Sequence, residues 1–216
     1  MIVHEFTHHP SIMNHFIKEL RDKNIQKDAH RFRTNLERMG FLLGYEISKE
    51  LKQHAVQVET PLGTSDMNTL QSMPVLATVF RAGLPMHQGL MNCFDQAESA
   101  FVSAYRKHRS PKDFSIEIEY LSAPSLEAKV LIISDTMIAT GNSIMSVYKA
   151  LLKQGKPSKV YIAATIASKD GIEFLKSKLP DSTVIFVGAI DEELTAHSYI
   201  VPGLGDAGDL CYGEKL

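Results

Sequence analysis

From residue 129 to residue 187 the chain alternates short apolar runs with longer amphipathic ones, and few folds accept that order. Lys129-Val-Leu-Ile-Ile-Ser134, Val160-Tyr-Ile-Ala-Ala-Thr165 and Thr183-Val-Ile-Phe-Val187 read as strands. Between them lie segments of helical period, Ser143–Lys153 and Asp170–Lys178, the first ended by Gly155 and Pro157. Strands apolar at every position are buried on both faces, which is the condition of a parallel sheet. Parallel neighbours joined through helices are right-handed crossovers, and these place helices against the sheet. The region therefore predicts an α/β fold, a parallel sheet with helices on both faces.

Upstream, Ile12, Met13, Phe16, Ile17 and Leu20 recur at helical spacing after Pro10-Ser11. A longer stripe follows from Asp28, through Phe32, Leu36, Met39, Leu43, Ile47 and Leu51. Steps of three and four mark one face of a helix, so residues of about 11–53 form an N-terminal helical addition. Val56–Thr60 before Pro61, Pro74–Phe80 and Phe101–Tyr105 are strand candidates, and Gly83–Phe94 suits a helix. Arg106–Ser110 reads as a polar turn before Ile116-Glu-Ile-Glu-Tyr120, whose period of two marks a hairpin arm. No repeat or linker interrupts the chain, which is read as a single domain, 1–216.

Composition narrows the function. With 23 Lys and Arg against 25 Asp and Glu, the formal charge is −2, so the chain lacks the basic excess of a dedicated nucleic-acid binder. At 44% hydrophobic it is no disordered chain. Cys93 and Cys211 make no disulfide framework. The start carries no leader pattern and the apolar runs are too short to span a bilayer. A soluble, cytoplasmic protein is expected, with no membrane and no nucleic acid among its partners.

Four motifs carry chemistry. His4-Glu5-Phe6-Thr7-His8 matches the zinc-protease pattern, but that pattern works only where residues four apart share a helical face, and Pro10 follows at once. No metal ligand is assigned. Gly203-Leu-Gly-Asp-Ala-Gly208 matches the dinucleotide fingerprint, yet follows Pro202 and leaves no room for the required unit; it reads as a loop whose backbone approaches a ligand. In Ile132-Ile-Ser-Asp-Thr-Met-Ile-Ala-Thr-Gly-Asn-Ser143 a strand ends at Asp135 and a helix begins near Thr140. A helix start holds an anion through free N–H groups and its dipole. The Asp135 carboxylate can accept from sugar hydroxyls, so the pair suits a phosphoribosyl group. Last, Arg81 after Phe80 and Arg106 after Tyr105 place guanidinium groups at strand ends, where a pyrophosphate could be met with paired hydrogen bonds.

With these residues in view, the chain resembles the uracil phosphoribosyltransferases over nearly its whole length. The segments that carry the resemblance are Val58-Glu-Thr-Pro-Leu62, Phe80-Arg-Ala-Gly-Leu84, Asp135–Ser143, Ala189-Ile-Asp-Glu-Glu-Leu194 and, most specific, Tyr199-Ile-Val-Pro-Gly-Leu-Gly-Asp-Ala-Gly-Asp209. The resemblance implies formation of UMP and diphosphate from uracil and 5-phospho-α-D-ribose 1-diphosphate (PRPP), with Asp135, Arg106 and Asp206 as catalytic residues. It implies a PRPP site of Arg81, Arg106, Asp135, Thr136, Met137, Ile138, Ala139, Thr140, Gly141, Asn142, Ser143 and Asp206. Ile200, Gly205, Asp206 and Ala207 would read uracil, largely through main-chain groups. It further implies Mg²⁺ held mainly through PRPP, a homodimer or higher homo-oligomer, GTP as a possible effector, and a closing lid within Arg106–Ala123. Thr136 stands where such sequences usually carry Pro, Asn142 and Pro85 where they carry Gly, and Lys107 where they carry an acidic residue. The alternatives are an RNA-binding regulator on the same fold, or a phosphoribosyltransferase for another nucleobase.

Overall fold

A computed structural model describes residues 1–110 and 113–215, with backbone alone over 104–110 and 113–117. In chain order the elements are β1 (Ile2–Glu5), α1 (Ile12–Arg21), α2 (Ala29–Ser48), β2 (Gln53–Thr60), β3 (Gly63–Leu70), β4 (Val75–Phe80), α3 (Gly83–Cys93), β5 (Glu98–Ser110) and β6 (Asp113–Ser122). There follow β7 (Val130–Ile138), α4 (Asn142–Leu151), β8 (Lys159–Ser168), α5 (Lys169–Lys178), β9 (Val184–Asp191), β10 (Glu193–Leu194), β11 (Ile200–Val201) and α6 (Ala207–Tyr212). The main sheet has seven strands in the order β1-β9-β8-β7-β4-β5-β6. Every pairing in it is parallel except β5 with β6.

Alternation along each strand divides the interior into two cores. Ile132, Tyr161 and Ala163 meet Met13, Ile17, Leu36, Met39 and Leu90, so α1, α2 and α3 cover one face. Leu131, Ile133, Ile162 and Ala164 meet Ile144, Val147, Ile172 and Leu175, so α4 and α5 cover the other. Consecutive strand residues thus serve opposite cores, which is why these strands read as unbroken apolar runs. The two N-terminal helices start where their caps stand: Ser11 Oγ accepts from the Met13 N–H at 3.3 Å, and Asp28 Oδ1 from the Arg31 N–H at 3.0 Å.

Several elements differ from the sequence expectation. β7 runs on to Ile138, so Asp135 lies within the strand and not at its end. Arg106 and the expected turn after it belong to β5, with Arg106 paired to Ile116. The hydrophilic alternation of an antiparallel pair is easily mistaken for a turn when its partner is unknown. Val56–Thr60 lies within β2, but its partner β3, Gly-Thr-Ser-Asp-Met-Asn-Thr-Leu, carries too little apolar alternation to announce itself. The His4–His8 stretch is an edge strand and the turn after it. β1 pairs in parallel with β9, His4 lies 4.7 Å from the Phe186 ring, and Glu5 Oε1 accepts from the Ile190 N–H at 3.1 Å. In a strand, residues four apart do not form the helical pair that zinc proteases use.

A polar knot joins α1 to α2. Glu19, only 5% exposed, accepts from Arg31 Nε at 2.9 Å and Asn35 Nδ2 at 2.8 Å, with His15 Nε2 at 3.1 Å. The Arg31 hydrogen bonds, then that of Asn35, hold its carboxyl down at about 2 against the opposing effect of burial. A depressed carboxyl stabilises the fold above its unfolded pKa, and that contribution is lost as pH falls through the folded value. Glu19→Gln should therefore lower Tm by several degrees at pH 7, and the gap from wild type should close as pH falls from about 5 towards 2. Thermal melts across that range check it; a constant gap would separate the loss from ionisation.

Candidate active site

Strand order reverses at one place. β4 leads through α3 to β5 on one side, whereas β7 leads through α4 to β8 and onward through α5 to β9 on the other. Connections leaving adjacent strands in opposite directions open a crevice beyond their carboxyl ends. A cleft of about 600 Å³ lies there. Its walls come from Val79–Ala82 at the end of β4 and just beyond it, Asp135–Gly141 with Ser143 and Ile144, His197–Tyr199, Gly205–Gly208, and Lys215.

The β7–α4 segment builds one wall. Asp135 is half-buried and lines the cleft, its carboxyl desolvated by the surrounding protein. That desolvation pushes its pKa up to about 7, although N–H groups of Met137 and Thr136 bond the carboxylate and pull the other way. Thr136 is fully buried, and its hydroxyl donates to Ala82 O at 2.7 Å, tying this wall to the loop after β4. Met137 packs on one core and Ile138 lies in the other. Residues Thr136–Ile138 can thus offer a ligand chiefly backbone. Ser168 Oγ donates to Ala139 O at 2.5 Å and accepts from the Gly171 N–H at 2.9 Å, which anchors the loop to the start of α5.

Gly141 caps α4 in the left-handed region, φ 77°. A Cβ there would lie 2.9 Å from Phe174 Cδ1 and 3.1 Å from Gly171 O, so glycine is required by both conformation and contact. Asn142 opens the helix itself, with its Nδ2 donating to Thr140 Oγ1 at 3.1 Å. The positive φ belongs to Gly141 alone, and Asn142 does not line the cleft. The first turn of α4 presents N–H groups that have no partner inside the helix. Pro85 sits in the first turn of α3, where its missing N–H costs nothing.

The other wall is C-terminal. Gly205 to Ala207 reach the cleft as Gly203–Asp206 turns, but from Ala207 the chain is helix, not loop. Asp206 is the N-cap of α6, its Oδ1 accepting from the Asp209 N–H at 3.1 Å. Arg81 reaches across: its Nη2 donates to Asp209 Oδ1 at 3.0 Å and its Nη1 to Gly213 O at 3.3 Å. Its Nε is buried with no hydrogen-bond partner among the described residues. Ile200 lies in β11, paired with Leu194, and its side chain is in the core and off the cleft wall. The side chain of Arg106 lies outside the described residues; of the expected lid, Arg106–Ala123, the backbone forms the distal part of β5 and β6, with residues 111–112 also outside the described residues.

Sequence reasoning missed His197, Ser198, Tyr199 and Lys215 on the cleft wall. A tight turn brings the first three there: the Ser198 N–H donates to Thr195 O and the Thr195 N–H to Tyr199 O, both at 2.8 Å, with Ser198 at φ 61°. Tyr199 at the head of the most specific segment was the available signal. For Lys215 no pattern marks it.

The family model described as Uracil phosphoribosyltransferase matches residues 6–214. The chain belongs to that family. It is 51% identical to a uracil phosphoribosyltransferase of Porphyromonas gingivalis, over all of this chain and 99% of that one. With a uracil phosphoribosyltransferase of Pyrococcus furiosus it shares 38% identity, over 99% of this chain and 91% of the other. A solved structure of a protein from Aquifex aeolicus superposes with TM-score 0.86 at 30% identity, covering 98% of each chain. A hypoxanthine phosphoribosyltransferase of Staphylococcus aureus, 14% identical with TM-score 0.52 over 86% of this chain and 84% of that one, shares the fold.

A carboxyl raised in the folded state has the opposite linkage to Glu19: stability is complete below the unfolded pKa and is lost as pH rises through the folded value. In Asp135→Asn that loss disappears. The variant should gain Tm relative to wild type as pH rises from about 4 to 8. Parallel melting curves across this range would contradict the desolvated carboxyl.

Proposed function

We infer that this chain transfers the phosphoribosyl group of PRPP to N1 of uracil, giving UMP and diphosphate. The observation that carries the reading is one cleft at the strand-order reversal, shared by the Asp135–Ser143 helix start, Arg81 and the Gly205–Ala207 backbone. The first turn of α4, with Thr140 and Ser143, would bind the 5′-phosphate. Asp135 would accept from the ribose hydroxyls, and Arg81 and Arg106 would meet the pyrophosphate. Uracil presents an N–H between two carbonyls, a pattern that main-chain groups near Gly205 and Ala207 can match. Cytosine would set an amine against a donor and leave it unpaired, which is the strong form of discrimination.

N1 attacks the anomeric carbon as the pyrophosphate departs, so positive charge develops at the sugar and negative charge on the leaving group. The protein's contribution is orientation and preorganised charge; no nucleophilic side chain is needed. Desolvation raises the Asp135 carboxyl to about 7, and positive charge brought by a bound ion or developing at the sugar would favour its ionised form. The Asp135 carboxylate, set among backbone groups, fits an ion shared with substrate better than an all-protein cage. Mg²⁺ held mainly through PRPP, with Asp135 nearby, would neutralise charge on the departing pyrophosphate.

The same reading includes self-association. β2 and β3 form an exposed two-stranded ribbon with Val58, Leu62 and Met67 open to solvent, and isolated ribbons are marginal in water. A cytoplasmic site accords with two free cysteines, and no described helix is long and apolar enough to cross a membrane. GTP as an effector rests on the resemblance alone. The −2 charge speaks against an RNA-binding regulator.

Pyrophosphate release measured with uracil, cytosine, hypoxanthine and xanthine should show turnover with uracil; a purine preference would sink the assignment. Asp135→Asn should lower kcat/KM by roughly 10²-fold or more. Asp206→Ala would also remove a helix cap, about 1 kcal/mol. Asp206→Ser keeps a capping oxygen, so if Asp206 acts on substrate, both variants should lose uracil turnover while only the alanine loses Tm.

A further inference from the structure

The Gly203 peptide groups are held in a closed ring of hydrogen bonds by two side chains that do not line the cleft. Arg21, the last residue of α1, donates from Nη1 to Asp191 Oδ2 at 2.7 Å and from Nη2 to Asp191 Oδ1 at 2.8 Å. The same Nη1 donates to Gly203 O at 3.0 Å, and the Gly203 N–H donates to Asp191 Oδ2 at 3.1 Å. Both polar groups of one peptide residue are thereby satisfied by the two halves of one ion pair. Asp191, the last residue of β9, is 8% exposed. Gln26 Nε2 donates to Leu20 O at 3.2 Å and Arg21 O at 3.1 Å, steadying the end of α1 from which the guanidinium projects.

Gly203 needs such a frame. It lies at φ 57°, and a Cβ there would stand 2.1 Å from Ile200 O. Leu204 beyond it is buried, and Gly205 is the next residue on the cleft wall. Fixing Gly203 therefore fixes where the peptides of Gly205–Ala207 begin. Main-chain recognition has no rotamers to adjust, so its accuracy equals the accuracy of the backbone.

We propose that Arg21 and Asp191 are positioning residues for base recognition: through Gly203 they set the backbone that reads uracil, and so set affinity and selectivity for the base without touching it. This rests on the uracil reading of that segment. A fork of two parallel bonds fixes direction as well as distance, which a lysine cannot do.

The test is steady-state kinetics of Arg21→Lys, Arg21→Met and Asp191→Asn, with uracil and PRPP varied separately and uracil compared with cytosine. KM for uracil should rise by about tenfold or more and the uracil-to-cytosine ratio of kcat/KM should fall, while KM for PRPP moves less than about twofold. Arg21→Lys, which keeps the charge and packing, supplies the folded variant if the others melt early; it should still lose uracil affinity. Combining Arg21→Met with Asp191→Asn should cost less than the two losses multiplied, since both break one ring. Unchanged uracil KM in Arg21→Lys, or uracil and PRPP KM rising in step, would overturn the proposal. Failure of the underlying reading looks different: wild type itself would release no pyrophosphate with uracil.

Discussion

The reversal of strand order between β4 and β7 is the constraint on which the rest depends. Right-handed crossovers that leave neighbouring strands in opposite directions cannot cover the carboxyl ends between them. The loop after β4 and the β7–α4 segment must therefore face each other across open space. Thr136, fully buried, then bonds Ala82 O and fixes the separation of the two walls. The site is in that sense a consequence of topology, on which particular side chains confer chemistry.

Those side chains are few, and on the proposed reading the cleft would work mostly through backbone and local field. The start of α4 supplies oriented N–H groups, Asp135 a desolvated carboxyl, and Arg81 a guanidinium on the cleft wall. A net charge of −2 is no bar to an anionic substrate on the proposed reading, since a helix start and a guanidinium would act at contact distance. The overall charge matters little at that range.

The N-terminal helices have a second role beyond covering one face of the sheet. α1 ends in Arg21 at the Gly203 turn, and α2 sends Arg33 Nη1 to Cys211 O at 2.6 Å, at the end of α6. The C-terminal segment is too short to build a core of its own. It borrows rigidity from helices some 180 residues away in the chain.

Much of this was legible in sequence. The fully apolar strands, the helical stripes and the Thr140-Gly-Asn-Ser start are local patterns, so periodicity and capping chemistry revealed them. Ser198, β3 and α6 were not legible, because a tight turn, a polar ribbon and a six-residue helix leave little periodic trace. Arg106 was misplaced into a turn for the same reason: alternation identifies a strand only when its partner is known. By itself the sequence determined the α/β class, the helix start after Thr140-Gly141 and the uracil phosphoribosyltransferase segments, since each is written in neighbouring residues. Only the tertiary structure decided that Asp135 is desolvated within a strand, that Arg81 meets Asp209, and that Arg21 and Asp191 enclose Gly203. Burial and long-range pairing depend on which elements become neighbours, and no local pattern carries that information.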